Sequence, residues 1–191
     1  MPRPDVIEPS KDLTEHTVSS ELVYEGALLT VRKDSVRLPD GSDAGREYIV
    51  HPGAVAILAL TDDGQLVMER QYRYPLRRHF IELPAGKIDP NEDPLTTGRR
   101  ELREETGYVA AQWTHVTTIH PLIAYSNERI EIYLAEKLTL QRATLDDGEF
   151  LEVFTLPVAT ALDWMVAGRI DDCKTVVGLF WLERLLAKRR A

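Results

Sequence analysis

The segment from Gly86 to Tyr108, GKIDPNEDPLTTGRRELREETGY, constrains this chain more than any other stretch. It places Glu101, Glu104 and Glu105 three and four residues apart, so that their carboxylates project from one face of a helix. Like charges at this spacing repel one another, and a helix gains no stability from them. The spacing therefore indicates a cation against this face, and a divalent ion with oxygen ligands is the natural candidate.

The composition limits the classes of function. The chain has 191 residues and a formal net charge of -8, which fits one soluble domain with a small appendage. Nucleic acids and anionic membranes need clustered Lys and Arg, so we expect neither as a partner. Small phosphorylated ligands remain compatible with this charge, because a bound metal can neutralise them.

The N-terminus and the single cysteine indicate a cellular compartment. Cys173 cannot form an internal disulfide, which favours a reducing environment, and its apolar neighbours favour a core position over a catalytic thiol. The N-terminus lacks the apolar run of a signal peptide, and no stretch is long enough to span a bilayer. The sequence therefore predicts a cytoplasmic protein.

The first part of the chain is predicted to be rich in β-strands. About sixteen polar, proline-containing residues come first and are expected to be frayed or extended. Strand-like segments follow over 21–26, 28–38 and 46–51, with a Pro-Asp-Gly turn at 39–41. We predict an N-terminal extension with an antiparallel β-segment over residues 1–50 and a second domain over residues 51–191.

The second domain begins with a continuous apolar run, 54–60, as expected of a strand that is buried on both faces. A tight turn leads to the segment 65–73, which is expected to pair with that run as a hairpin. Further strands are predicted over 79–83, 113–119, 129–138 and 150–156.

Three helices are predicted, over Pro94–Thr106 with Gly107 as its C-cap, Pro157–Met165, and Cys173–Lys188. The last helix has apolar residues at the spacing of one buried face, namely Val176, Val177, Phe180, Trp181 and Leu185. This order of elements predicts an α+β fold in which a mixed β-sheet is sandwiched between helices (α/β/α).

The opening segment fits the pattern G-x5-E-x7-R-E-U-x-E-E-x-G-U, in which U is a bulky apolar residue. The defined positions are filled by Gly86, Glu92, Arg100, Glu101, Leu102, Glu104, Glu105 and Gly107, with Tyr108 in the last place. This pattern resembles the Nudix box, although Tyr108 replaces the usual aliphatic residue. A solvated acidic helix face would explain the glutamates alone, but not the two glycines and Glu92 at their positions.

The resemblance implies the Nudix hydrolase fold, in which the box forms a loop–helix–loop that binds magnesium, or manganese in its place. Carried onto this chain, the implied metal ligands are the carbonyl of Ala85 and the side chains of Glu101, Glu104 and Glu105. Arg100 and Glu92 would orient these glutamates by ion pairing. Physical reasoning agrees, because cleavage of a pyrophosphate requires neutralised phosphate charge and an activated water, and divalent ions provide both.

Other segments resemble the ADP-ribose pyrophosphatase and nucleoside-diphosphate-sugar hydrolase branch of this superfamily. They are 69–73 (ERQYR), 82–86 (ELPAG) and 168–172 (GRIDD), the last followed by a Lys-Thr pair. In that branch Arg73 would contact a substrate phosphate through its planar fork, and Glu82 would approach the ribose, the metal or its water. The plainer alternatives are a solvated strand charge for Arg73 and a sheet-edge charge for Glu82.

The branch also uses a glutamate outside the box, on a loop, to bind metal or to activate water. Glu149 matches this role best by its distance from the following strand, and Glu152 is the alternate. The predicted catalytic residues are therefore Glu149, Glu104 and Glu105. An acidic surface loop is the plainer alternative for Glu149.

One departure from the branch concerns the substrate. Ser126 and Glu128, in a Ser-Asn-Glu segment, are implied substrate contacts, but the Pro-Gly pair that usually precedes this segment is replaced by Ile123-Ala124. The departure weakens the case for ADP-ribose and makes a GDP- or UDP-linked hexose a candidate. Tyr125 would either line the sugar or base pocket or pack in the sheet.

We therefore predict Mg2+-dependent hydrolysis of a nucleoside diphosphate sugar to a nucleoside monophosphate and a sugar phosphate. The resemblance also implies a homodimer in which the N-terminal β-segment exchanges between subunits and completes the partner's site. The alternatives are a hydrolase of NADH or of dinucleoside polyphosphates, and a non-catalytic nucleotide-sensing module. The retained box glutamates and the lack of a segment for a helix-turn-helix disfavour the last of these.

Overall fold

The computed structural model describes residues 11–141 and 150–190, and the chain divides into two compact units. The first unit comprises the chain up to His51 together with Ala124–Asn127, and the second comprises Pro52–Ile123 and the chain from Glu128 onward. Within the described residues, no helix is both long and apolar enough to cross a bilayer.

The first unit is an antiparallel three-stranded sheet in the order β1 (His16–Glu25), β2 (Thr30–Arg37) and β3 (Asp43–Val50). The turn between β2 and β3 is closed by the Leu38 amide, which donates to the Ser42 carbonyl at 2.8 Å. Gly41 has a φ of 87° there, which explains the glycine of the predicted turn. The predicted N-terminal antiparallel strands are confirmed, and β1 begins earlier than the expected Glu21.

The second unit contains seven strands and three α-helices among its described residues. They are β4 (Ala54–Ala59), β5 (Gln65–Arg73), a 3-10 turn (Tyr74–Leu76), β6 (Arg78–Glu82), β7 (Ala85–Lys87), α1 (Pro94–Thr106), β8 (Tyr108–Ile119), β9 (Ile130–Leu140), β10 (Leu151–Pro157), α2 (Val158–Val166) and α3 (Cys173–Arg190). One sheet has the order β7-β4-β9-β8 and the other the order β10-β5-β6. Among the described strands of this unit, only β4 and β9 run parallel, so the four-stranded sheet is mixed.

The apolar run of β4 lies at the centre of a helix–sheet–helix sandwich. Val55 and Ile57 pack in one cluster with Leu102 of α1, while Leu58 packs in another with Leu179 of α3. All five side chains are completely buried, and each contributes roughly 2 kcal/mol through removal from water. The predicted α+β fold with α/β/α layers, and the burial of this strand on both faces, are confirmed.

The predicted hairpin between β4 and β5 is wrong. The tight turn forms, because the Thr61 amide donates to the Gln65 carbonyl at 2.9 Å, but only an isolated bridge between Leu60 and Leu66 joins the two strands. The two edges of β4 are occupied by β7 and β9, and β5 pairs with β6 and β10 in the other sheet. A short turn therefore connects two sheets here.

The predicted buried face of α3 is wrong in part. Phe180 and Trp181 are exposed, and the helix instead buries Thr175, Leu179 and Leu182. The helix itself carries apolar residues on most of its sides, so the sequence alone was compatible with more than one buried face. Gly178 approaches Leu58 and Leu83 closely, and this contact selects the face of the helix that is buried.

Cys173 is exposed at the start of α3, so its expected core position is also wrong. The apolar residues that suggested a core lie further along the helix. The first turn of a helix has exposed positions even when the following turns are buried.

Candidate active site

Helix α1 has the bounds that the sequence predicted, because both of its ends are capped locally. The Asp93 side chain accepts hydrogen bonds from the amides of Leu95 and Thr96 at 3.0 and 3.1 Å. Pro94 occupies the first turn, where its missing amide hydrogen costs nothing. Gly107 ends the helix with a φ of 75°, a left-handed conformation that glycine adopts readily.

Two carboxylates of α1 pack against the short strand β7. Glu101 lies so close to Gly86 that a Cβ at position 86 would be 2.6 Å from Oε2 and nearer still to the other carboxylate atoms. Glu105 is buried, and its Oε2 accepts a hydrogen bond from the Ala85 amide at 3.1 Å. The glycine of the box therefore leaves room for a carboxylate, and the two glutamates contact consecutive residues.

Arg100 joins three carboxylates of the motif. Its Nη1 donates to Glu101 Oε1 at 2.9 Å and to Glu104 Oε2 at 3.2 Å, and its Nη2 donates to Glu92 Oε2 at 3.0 Å. Hydrogen bonding to Glu92, followed by the negative charge of Glu101, raises the pKa of Arg100 well above its ordinary value. The same hydrogen bond from Arg100 lowers the pKa of Glu92. These contacts hold the three glutamates in place.

The donors in this region fit a hard divalent cation, since carboxylate and carbonyl oxygens are the ligands that Mg2+ prefers. Among the described residues, however, no three Asp, Glu, His or Cys side chains are arranged to hold an ion. Glu104 contacts Arg100 and also accepts a hydrogen bond from Arg103 Nη2 at 3.2 Å. The ligand set of Ala85, Glu101, Glu104 and Glu105 therefore stays a prediction.

Arg73 and Glu82, at the ends of β5 and β6, form a bidentate ion pair. Nε and Nη2 of Arg73 each donate to one carboxylate oxygen of Glu82 at 2.7 Å. The Glu82 side chain is 4% exposed and that of Arg73 is 45% exposed, so the arginine covers the carboxylate on the solvent side. The hydrogen bonding that Arg73 donates to Glu82 raises the pKa of Arg73. Burial opposes ionisation of Glu82, but Arg73 and a neighbouring lysine outweigh it and lower its pKa.

That lysine, Lys174, was not among the predicted site residues. Its Nζ donates to Glu82 Oε2, and to Asp172 Oδ2 at 2.9 Å. Lysine is rarely buried without acidic partners, so the Asp-Asp-Cys-Lys sequence at the start of α3 held a weak signal. Nothing in the sequence indicated that Lys174 is buried beside Glu82.

Glu69 is a second residue that was noted only as part of a sequence pattern. It is opposite Glu82 in the β5–β6 pairing, and both side chains are buried. Residues that face each other across an antiparallel pair project from the same side of the sheet. Glu69 is therefore a third ionisable side chain on the face that carries Arg73 and Glu82.

The two candidates for the glutamate outside the box differ. Glu149 lies outside the described residues. Glu152 is opposite Arg70 in the β5–β10 pairing, and its Oε2 accepts a hydrogen bond from Arg70 Nε at 2.8 Å. Since Arg70 directly follows Glu69 in the strand, Glu152 projects from the other face of the sheet. Glu152 therefore lies on the opposite face of the sheet from Glu69 and Glu82, and its role as the glutamate outside the box stays a prediction.

The two predicted substrate contacts near residue 126 belong to different units. Ser126 belongs to the first unit, where it bridges Ile49, and the neighbouring Tyr125 side chain is 53% exposed. Glu128 belongs to the second unit, where its carbonyl accepts a hydrogen bond from His120 Nδ1 at 3.2 Å. Contact of Ser126 and Glu128 with a substrate stays a prediction.

Comparison with protein families identifies two matching regions. Residues 50–172 match the model of the NUDIX domain. Residues 15–49 match the model of the nucleoside diphosphate sugar hydrolase N-terminal domain. Together the two models cover the chain from β1 to the residue that precedes α3.

Individual relatives are similar over nearly their whole length. An ADP-ribose pyrophosphatase of Bacillus subtilis is 37% identical over 175 residues, which cover 91% of this chain and 95% of the relative. A methanol dehydrogenase activator of Bacillus methanolicus is 37% identical over 171 residues, or 88% of this chain and 92% of the relative. A crystal structure of an ADP compounds hydrolase superimposes with a TM-score of 0.83 at 23% identity, covering 94% of this chain and 98% of that one. The last match bears on the fold alone.

Proposed function

The chain belongs to the Nudix hydrolase superfamily, and from this premise we propose that it hydrolyses the pyrophosphate bond of a nucleoside diphosphate sugar. The products would be a nucleoside monophosphate and a sugar phosphate. The observation that carries the proposal is the packing of Glu101 and Glu105 against Gly86 and Ala85, a few residues beyond the Arg73–Glu82 pair. The match of residues 15–49 supports the substrate class.

Each polar group in this region has a proposed task. Glu101, Glu104 and Glu105, with the Ala85 carbonyl, would hold Mg2+, which when bound supplies neutralising charge to the pyrophosphate oxygens. Arg73 would orient a phosphate through its planar guanidinium. A carboxylate, from Glu149 or from the box residues Glu104 and Glu105, would accept the proton of the attacking water.

We further propose a homodimer in which the segment 1–50 exchanges between subunits and residues 51–191 form the catalytic domain. Every residue of β1 is exposed, including Val18, Leu22, Val23 and Tyr24. Apolar side chains on an exposed edge strand are typical of a surface that a partner covers. Light scattering coupled to size-exclusion chromatography should give the mass of two chains, and the mass of one chain would contradict the dimer. A cytoplasmic location stays a prediction.

A panel of substrates tests the proposed reaction. ADP-ribose, GDP- and UDP-linked hexoses, NADH and dinucleoside polyphosphates would each be incubated with the chain and Mg2+, and released nucleotide would be measured by chromatography. We expect monophosphate from at least one nucleoside diphosphate sugar, no release with a metal chelator, and recovery when Mg2+ is restored. Turnover of NADH or dinucleoside polyphosphates alone would favour that alternative, and binding without turnover would favour a sensing module.

The variant Glu105→Gln tests the assignment of the box. We expect kcat to fall by about a hundredfold or more while the fold is kept, because the amide is a poor metal ligand and a poor base. Glu183→Gln, at an exposed position of α3, is the matched control and should keep the wild-type rate. An unchanged rate in Glu105→Gln would refute the assignment.

A further inference from the structure

Lys174 lies in the first turn of α3, with a side chain that is 11% exposed. It approaches Glu82 from the interior, whereas Arg73 covers the same carboxylate from the solvent side with a side chain that is 45% exposed. Both cations donate to Glu82 Oε2. One buried carboxylate is therefore shared between an interior lysine and a half-exposed arginine.

The start of α3 is fixed to the segment that follows Glu82. Asp172 Oδ2 accepts hydrogen bonds from the Thr175 amide at 3.0 Å and from the Thr175 hydroxyl at 2.7 Å. The Thr175 hydroxyl oxygen in turn accepts a hydrogen bond from the Leu83 amide at 3.0 Å. Gly178 allows this approach, since a Cβ there would be 2.8 Å from Leu83 Cδ1. Lys174 is therefore held beside Glu82 by the hydrogen bonds of its neighbours in the chain.

Lys174 supplies one of the two cations that contact Glu82. Arg73 and Lys174 carry two positive charges, and Glu82 and Asp172 carry two negative charges. Without Lys174, Arg73 would be the only cation of the four and would be drawn to the two carboxylates. The pyrophosphate of a substrate would then have to compete with the Glu82 carboxylate for Arg73.

We propose that Lys174 is a positioning residue for the hydrolysis: by neutralising Glu82 from the interior, it leaves the charge of Arg73 available to the pyrophosphate of the substrate. This inference rests on the proposed function. Lys174 itself does not touch the substrate, and its effect is expected in KM more than in kcat. No sequence pattern assigns this role, because it depends on which side of Glu82 each cation occupies.

The test compares Lys174→Met, Lys174→Arg, Glu82→Gln and the double variant K174M/E82Q, with Lys188→Met at an exposed position of the same helix as the control. We expect Lys174→Met to raise KM about tenfold, whereas Lys174→Arg stays within about threefold of the wild type because it keeps the charge. In the Glu82→Gln background, the Lys174→Met change should alter KM by less than about threefold, since the carboxylate through which it acts is gone. Lys188→Met should behave as wild type.

Thermal unfolding of each variant separates binding from folding. If Lys174→Met does not fold, the comparison of Lys174→Arg with wild type and of the double variant with Glu82→Gln still decides the question. An unchanged KM in folded Lys174→Met, or the same loss with and without the Glu82 carboxylate, would overturn the inference while wild-type turnover upholds the proposed function. A wild-type chain that turns over no substrate would refute the proposed function, and this inference with it.

Discussion

Replacing Gly86 by alanine tests whether the position of the Glu101 carboxylate controls activity. The added Cβ would lie 2.6 Å from Oε2 and closer to the rest of the carboxylate, whereas ordinary van der Waals contact begins at 3.4 Å. The carboxylate must therefore retreat by about 1 Å or more. Because it is the end of a flexible side chain, it can do so without moving the backbone.

The expected result is a large loss of rate with a small loss of stability. Displacement of a positioning or reacting group by about 1 Å can lower a rate by about a hundredfold. Gly86 does not have a positive φ, so alanine fits its backbone, and the free energy of unfolding should change by less than about 1 kcal/mol. Steady-state kinetics at several Mg2+ concentrations would measure the first quantity, and urea denaturation the second.

Gly45→Ala is the matched control, because a Cβ at position 45 meets no atom within 4 Å and its φ is also ordinary. It should keep both activity and stability. Wild-type turnover in Gly86→Ala at every Mg2+ concentration would refute the assigned importance of the Glu101 position. A loss of activity that follows unfolding of the variant would refute the claim that the carboxylate yields without the backbone.

Three further predictions concern stability, pH and metal affinity. Asp93→Ala removes the N-cap of α1 and should lower the free energy of unfolding by about 1 kcal/mol in urea denaturation. Equal stability of the variant and the wild type would contradict the role of Asp93 as the N-cap. The pKa of Glu82 is lowered in the folded chain, so its ionised form adds stability at neutral pH that is lost as the pH falls below 4.5, the ordinary value, toward the folded pKa. Glu82→Gln should therefore lose less stability on acidification than wild type does, and identical acid unfolding curves would count against this. Arg100→Lys lacks the fork that joins Glu92 to the box carboxylates, so the Mg2+ concentration for half-maximal rate should rise about tenfold; no rise would argue against that role.

The sequence predicted the elements whose signals are local. The bounds of α1 were correct because Pro94 and Gly107 act on the backbone beside them. The prediction that β4 is buried on both faces was correct because its run of apolar residues contains no polar side chain that would favour solvent. The N-terminal antiparallel strands were correct because a Pro-Asp-Gly turn separates two of them.

The errors arose where an element could pair or pack with more than one partner. The turn after β4 is short, yet β5 pairs elsewhere because β7 and β9, which are distant in sequence, occupy the edges of β4. Helix α3 has apolar residues on several sides, and the contact of Gly178 with the neighbouring layer decided that Leu179 is buried while Phe180 is exposed. Neither choice is encoded within a single segment.

The sequence by itself placed Glu101, Glu104 and Glu105 on one helical face, and the whole box pattern, with its glycines and Glu92, indicated the superfamily. The tertiary structure decided what these carboxylates contact. It brought Glu101 onto Gly86, and it brought Lys174 onto Glu82 across 92 residues of chain. Spacing along a helix follows from its fixed geometry, whereas contacts between distant segments depend on how sheets and helices pack.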